Sequence, residues 1–165
     1  MYERILLADD APFMRKVQKS ILEKNEFEIC GEAADGLEVI AKYEELEPDI
    51  LILGLVLPKF DGIEVLKQIK LNYPEAKIII CSSMSRESNV VESMRYGACN
   101  FIVKPFRPEV IADAVSSAKD NRIAALLGER RISNWCSQQQ NYQPEDNLTQ
   151  EQVNKIVESY YRLLS

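Results

Sequence analysis

The sequence predicts an α/β protein built on a doubly wound, five-stranded parallel sheet. Two observations carry this. Short apolar runs alternate strictly with segments of helical period, five times in succession. Three of those runs, "RILLA", "DILIL" and "KIIICS", are almost continuously apolar, as strands covered on both faces should be.

The elements follow in order. "RILLA" is the first strand. "APFMRKVQKSILEK" carries Phe13, Val17, Ile21 and Leu22 at helical spacing. "FEICGEA" nearly alternates apolar with polar, which suits a half-covered strand. "GLEVIAKYEEL" is helical through Leu37, Ile40, Ala41 and Leu46. "DILIL" is the third strand, and the apolar run around it is broken once, by Gly54. "GIEVLKQIKLN" is a helix with Ile63, Leu66 and Ile69 on one face. "KIIICS" is a strand, "RESNVVESMRYG" a helix stopping at Gly97, and "NFIVK" the fifth strand. "RPEVIADAVSSAKDNRIAALLGE" is a long helix with Pro108 in its first turn, where a missing N–H costs nothing.

A length of 165 residues suits one domain with an appendage, and 46% apolar content suffices for a core. A net charge of −6 argues against a general nucleic-acid binder, whose affinity rests on clustered Lys and Arg. Every apolar run falls far short of the roughly 20 residues that span a bilayer. "MYERILLADD" lacks the pattern of a signal peptide. The expected location is the cytoplasm. Cys30, Cys81, Cys99 and Cys136 form no C-x-x-C pair and read as free thiols. There is no histidine, which removes the commonest general base and metal ligand.

In sheets of this class, ligands sit beyond the carboxyl ends of the strands. Asp9 and Asp10 follow the first strand, Gly54 the third, Ser82 and Ser83 the fourth, and Lys104 the fifth, followed by Pro105. A single strand-end Asp is more often a helix cap or turn residue. Two carboxylates, a hydroxyl and an ammonium on one rim instead suit a divalent cation with a phosphoryl group. Hard oxygens hold Mg²⁺, the Lys meets phosphate oxygens and the hydroxyl donates a hydrogen bond.

The pieces "ILLADDAPFMRKV", "GEAADGLEVIAKYEELEPDILIL", "LPKFDGIEVLKQIK", "KIIICSSMS" and "GACNFIVKPF" resemble the receiver domain of two-component response regulators, in particular the stand-alone chemotaxis type. The resemblance covers about residues 1–120 and implies the flavodoxin-like receiver fold. In that family a histidine kinase donates a phosphoryl group to an Asp at the end of the third strand. Mg²⁺ is held by the first-strand acids, by that Asp and by a carbonyl two residues further on. The resemblance therefore assigns Asp9 and Asp10 as metal ligands, Asp10 the more direct, with Val56 as the carbonyl donor. Ser82 and Lys104 are assigned to stabilise the phosphoryl group. Phe101 matches the aromatic position whose rotamer reports the switch. The implied partners are a histidine kinase and a downstream signalling protein docking on the fourth helix, fifth strand and fifth helix. A homodimer is also compatible. The implied role is signalling, not enzymic catalysis.

The acceptor position falls on residue 54, which here is Gly. Strand interiors rarely use Gly, at roughly 0.5–1 kcal/mol relative to Ala. It has no oxygen to carry a phosphoryl group, and it removes a charged ligand, so Mg²⁺ binding should weaken. Asp61 belongs to the loop pattern. Asp49 begins the strand, roughly 16 Å back. Neither should reach Lys104. Ser82 or Ser83 as a surrogate acceptor is the alternative. Gly54 fits either a degenerate receiver that signals without phosphorylation or an altered copy of a phosphorylatable one.

Residues 121–165 lie outside the resemblance. The fifth helix is expected to run on through Ile123, Leu126, Leu127 and Ile132, with a polar linker over 136–147. A helix over 149–164 opens with Thr149 three residues before Gln152, a capping-box pattern, and carries Val153, Ile156, Val157 and Tyr160 as one apolar stripe. The stripe suits docking on the receiver's own surface or on a second copy, and a partner-binding helix is the alternative. Transcription control through a dimer on the fifth helix is a further reading. Against it, Arg130–Arg131 is the one basic pair of note.

Overall fold

The computed structural model describes residues 3–118 and 147–164. Five strands, β1 (Arg4–Ala8), β2 (Glu28–Ala33), β3 (Ile50–Leu53), β4 (Ile78–Ser82) and β5 (Asn100–Val103), form one sheet in the order β2-β1-β3-β4-β5, every pairing parallel. The helices are α1 (Pro12–Lys24), α2 (Gly36–Leu46), α3 (Gly62–Asn72), α4 (Glu87–Arg95), α5 (Pro108–Ala118) and α6 (Gln150–Leu164). The strand order reverses between β1 and β3, which puts a crevice at their carboxyl ends.

Period-2 alternation builds two cores, one on each face of the sheet. Leu6, Leu51, Leu53, Ile78, Ile80 and Phe101 point to the side covered by α2, α3 and α4. Ile5, Leu7, Ile50, Ile52, Ile79 and Ile102 point to the side of α1 and α5, with Leu22, Ile111 and Val115. Each such aliphatic side chain contributes about 1.5–3 kcal/mol through burial.

In two helices part of the expected apolar face stays outside, while Ile21 and Leu22 of α1 and Ile40 and Leu46 of α2 pack on the core as their spacing suggests. In α1, Gln18 and Leu22 are buried, whereas Phe13 is 75% exposed on the first turn. In α2 the buried set is Gly36, Val39 and Tyr43, with Leu37 56% exposed and Ala41 also outside. The cause in α2 is a close approach. A Cβ on Gly36 would stand 1.8 Å from the Phe60 carbonyl oxygen, so that face presses on the loop before α3. Leu37, one residue on, is turned about 100° away. Asp35 and Asp61 cap α2 and α3, accepting the backbone N–H of Glu38 at 2.9 Å and of Glu64 at 3.0 Å.

The C-terminal helix docks on this chain's own surface. α6 packs on β5 and α4 and sends Val153, Ile156 and Val157 into the core beside Phe101. Its capping box is reciprocal: Thr149 N–H donates to Gln152 Oε1 at 2.8 Å, and Gln152 N–H to Thr149 Oγ1 at 3.3 Å. The expected continuation of α5, nearly all of the polar linker, Cys136 and the side chain of Tyr160 lie outside what is described. No helix among the described residues is long and apolar enough to cross a membrane.

Candidate functional site

The crevice at the carboxyl ends of β1, β3, β4 and β5 is built around Asp9, the residue after β1. Its side chain is 1% exposed. Oδ1 accepts the Ala11 N–H at 2.9 Å, and Oδ2 forms an ion pair with Lys104 Nζ. The backbone holds it from both directions: Asp9 N–H donates to the Ala33 carbonyl at 3.1 Å, and the Asp9 carbonyl accepts Arg15 Nη1 at 2.6 Å. Arg15 in turn pairs with Glu32 at 3.2 Å. Sequence reasoning missed this positioning role of Arg15, because a helix-surface Arg carries no motif.

Lys104 follows β5, and its backbone N–H is bonded to the Ser82 carbonyl at 3.0 Å. The Lys104–Pro105 peptide is cis. Ser82 is buried, and its hydroxyl accepts the Met84 N–H at 3.0 Å. Ser83 is exposed. Cys81, beneath the rim, donates no charge: burial pushes its thiol up to about 12. Cys99, also buried, is pushed up to about 11. Among the described residues, Cys30, Cys81 and Cys99 carry no disulfide.

Gly54 sits one residue beyond β3, with its N–H bonded to the Ala8 carbonyl at 2.9 Å. Its backbone does not demand a glycine. A Cβ built there meets Ala8 O at 3.4 Å, Asp9 Oδ2 at 3.7 Å and Cys81 O at 3.8 Å, all ordinary van der Waals contacts. The neighbour that does demand one is Gly62, where a Cβ would lie 2.1 Å from the Gly54 carbonyl oxygen. The turn between them is tight: Phe60 N–H donates to Pro58 O at 2.7 Å around Lys59, whose φ is +68°.

The rim thus brings Asp9, Lys104 and the Gly54 position into one contact set, with Ser82 tied to Lys104 through the backbone. Asp10 and Val56 lie at the same rim on its open side, Asp10 exposed and Val56 57% exposed. Phe101 is elsewhere, fully buried beneath the α4 and α6 side. Asp61 and Asp49 are committed away from Lys104, Asp61 to its cap and Asp49 to the Arg4 N–H at 2.8 Å.

These residues offer Mg²⁺ a reduced set of charged ligands. Asp9 has one oxygen on Ala11 and the other on Lys104, and Gly54 adds no carboxylate. Among the described residues no group of three or more Asp, Glu, His or Cys side chains could hold a metal ion. Mg²⁺ keeps several waters and needs only one or two carboxylates, so Asp10, the Val56 carbonyl and Asp9 are the residues that would hold it, with the third carboxylate missing at Gly54.

The model of the response regulator receiver domain matches residues 5–116. The chain belongs to this family. The chemotaxis protein CheY of Thermotoga maritima is 43% identical over 116 residues, which span 70% of this chain and 97% of that protein. CheY of Bacillus subtilis is equally similar, 43% over 116 residues, with the same shares of 70% and 97%. Among solved structures, the CheX–CheY–BeF3–Mg²⁺ complex of Borrelia burgdorferi matches with a TM-score of 0.69 at 33% identity, covering 71% of this chain and 89% of that one. This receiver is therefore of the chemotaxis type. The family match ends at residue 116, so α6 lies outside it.

Two residues of this receiver that sequence reasoning did not single out are Gln150 and Ser85. Gln150 bonds β5 through its side-chain amide, and Ser85 bonds Leu148 through its hydroxyl at 2.7 Å. The capping box announced a helix start but not where it would dock.

Proposed function

We propose that this chain is a cytoplasmic receiver module of two-component signalling, comprising a receiver over 1–120 and an extension over 121–165, that has lost phosphoacceptance and signals through protein–protein contacts. The observation that carries this reading is Gly54. It stands in van der Waals reach of Asp9, whose carboxylate is held by Lys104, and it offers no nucleophilic atom. Asp9 is itself a carboxylate, but its oxygens face the Ala11 N–H and the Lys104 ammonium. Binding partners of the kind known for such receivers, a histidine kinase and a downstream signalling protein, would meet it on α4, β5 and α5.

Incubation with acetyl phosphate and Mg²⁺, followed by intact-mass measurement, tests the reading. The expected result is an unchanged mass. A stoichiometric gain of ~80 Da, one phosphoryl group, would overturn it and point to Ser82 or Ser83 as the acceptor.

A further inference from the structure

β5 is an edge strand, so its outer N–H and C=O groups have no neighbouring strand to pair with. Gln150 supplies one. Its Oε1 accepts the Val103 N–H at 2.6 Å, and its Nε2 donates to the Phe101 carbonyl at 3.0 Å. One amide thus meets the carbonyl of one residue and the N–H of the residue two further on. That is the pattern a parallel partner strand would present. The same Nε2 lies 2.9 Å from Asn154 Oδ1, which orients the amide from within α6.

Beyond that polar clamp the contact is apolar. Val153, Ile156 and Val157 repeat at i, i+3 and i+4 and are all buried, as is Leu148 just before the helix. They share a core with Val90 and Met94 of α4 and with Phe101. Leu148 is anchored twice to the loop before α4: its N–H donates to the Ser85 carbonyl at 2.9 Å, and its carbonyl accepts the Ser85 hydroxyl at 2.7 Å. The opposite side of α6 carries Glu151, Lys155 and Glu158 towards solvent, with Lys155 and Glu151 3.7 Å apart. This is a helix laid in a groove, with a strand-edge clamp at its first residue.

We propose that the α4–β5 face is a receptor for an amphipathic helix headed by a side-chain amide, that α6 is its resident occupant, and that a partner helix of the same pattern binds by displacing α6. The consequence for signalling rests on the receiver reading above, whereas the groove and its occupant stand on the contacts alone. A resident joined to its own groove through residues 119–146 competes as an intramolecular ligand, so a free helix faces a large handicap until α6 is released. Release also removes Gln150 from the Phe101 carbonyl, which ties the occupancy of the groove to the residue assigned to the switch.

The test uses the full chain and, as probe, a fluorescently labelled synthetic peptide of residues 147–165. Val153→Asp combined with Ile156→Asp should expel α6. The peptide should then bind at least about 10-fold more tightly than it binds the wild-type chain, because the intramolecular competitor is gone. Exchange of the Val103 amide should accelerate in the variant and be slowed again by the peptide. Lys155→Ala, on the exposed side, should behave as wild type. If the double variant loses its far-ultraviolet circular dichroism, Gln150→Ala replaces it, with the same direction expected for both readouts. Equal peptide affinity for wild type and a folded variant, or no peptide binding by that variant, overturns the proposal. So does a wild-type dimer whose dissociation exposes the Val103 amide, since the occupant would then come from a second copy. A phosphoryl adduct on this chain would defeat the proposed function and leave these outcomes unchanged.

Discussion

The ammonium of Lys104, one residue past β5, is paired with the carboxylate of Asp9, one residue past β1, across the ends of β4 and β3. The end of β3 between them is Gly54. A cation therefore reaches over a position without a side chain and is matched by a buried acid, Asp9.

This pair makes the first prediction. Lys104→Met keeps the aliphatic stem but strands Asp9, which is nearly fully buried. Removing one partner of a fully buried pair costs about 3–5 kcal/mol. Lys104 keeps one-fifth of its side chain in water, so the expected loss is smaller, ~2–3 kcal/mol at neutral pH. Urea melts of the two chains measure it. A loss below about 0.5 kcal/mol, the scale of an exposed pair, would mean that Asp9 does not depend on Lys104.

The sheet was legible in the sequence because burial on both faces leaves a local record. Ile5, Leu6 and Leu7 are all apolar although they point to opposite sides. The inward faces of α1 and α2 were legible in part, through Ile21, Leu22, Ile40 and Leu46. Phe13, Leu37 and Ala41 have helical spacing but lie outside; in α2 the face is selected by Gly36 against the Phe60 carbonyl, a contact between distant parts of the chain. At the rim, Asp9 and Lys104 could be placed together from their strand ends alone. The apolar stripe of α6 announced docking on this chain or on a second copy, but its place was not legible, since Gln150 meets Val103 across 47 residues of sequence and no local pattern encodes that register.

The second prediction concerns the cap of α6. Thr149 and Gln152 each satisfy the other's backbone N–H. Thr149→Ala should weaken the helix by about 1 kcal/mol. The loss should be visible as faster exchange of the Val103 amide, which Gln150 protects. Unchanged exchange there, with overall stability reduced, would separate the cap from the clamp.

The third prediction is a pH dependence. Burial raises the Cys81 thiol from 9.0 to about 12. Above pH 9 the unfolded chain loses this proton while the native chain keeps it. The contribution to stability is therefore complete below pH 9 and is lost as pH rises towards 12. Replacing the thiol by Cys81→Ala should flatten the fall in stability over that window. In the native chain at pH 8, Cys81 and Cys99 should resist iodoacetamide, as peptide mapping would report. Rapid labelling of Cys81 would contradict its burial.

The last prediction places a carboxylate back at residue 54. The backbone accommodates a side chain there, and a Cβ would stand 3.7 Å from Asp9 Oδ2. Two effects oppose each other. Replacing Gly removes roughly 0.5–1 kcal/mol of backbone entropy cost. A further acid beside Asp9 and Asp10 adds repulsion, a few kcal/mol at about 4–5 Å and an effective dielectric near 20, before relaxation. Lys104 can offset part of this, but it is already committed to Asp9. The repulsion should win without metal, so Gly54→Asp should be the less stable chain in EDTA. Mg²⁺ reverses the balance, because a third carboxylate completes an oxygen site that binds the native state selectively. Saturating Mg²⁺ should therefore narrow or invert the gap in paired denaturant melts, and Mg²⁺ should bind the variant more tightly than the parent. The same variant should accept a phosphoryl group from acetyl phosphate, where the Gly54 chain is expected to give no adduct. A variant already more stable than the parent in EDTA would show that residue 54 does not face the acids at the end of β1, and the assignment of the site would fall with it.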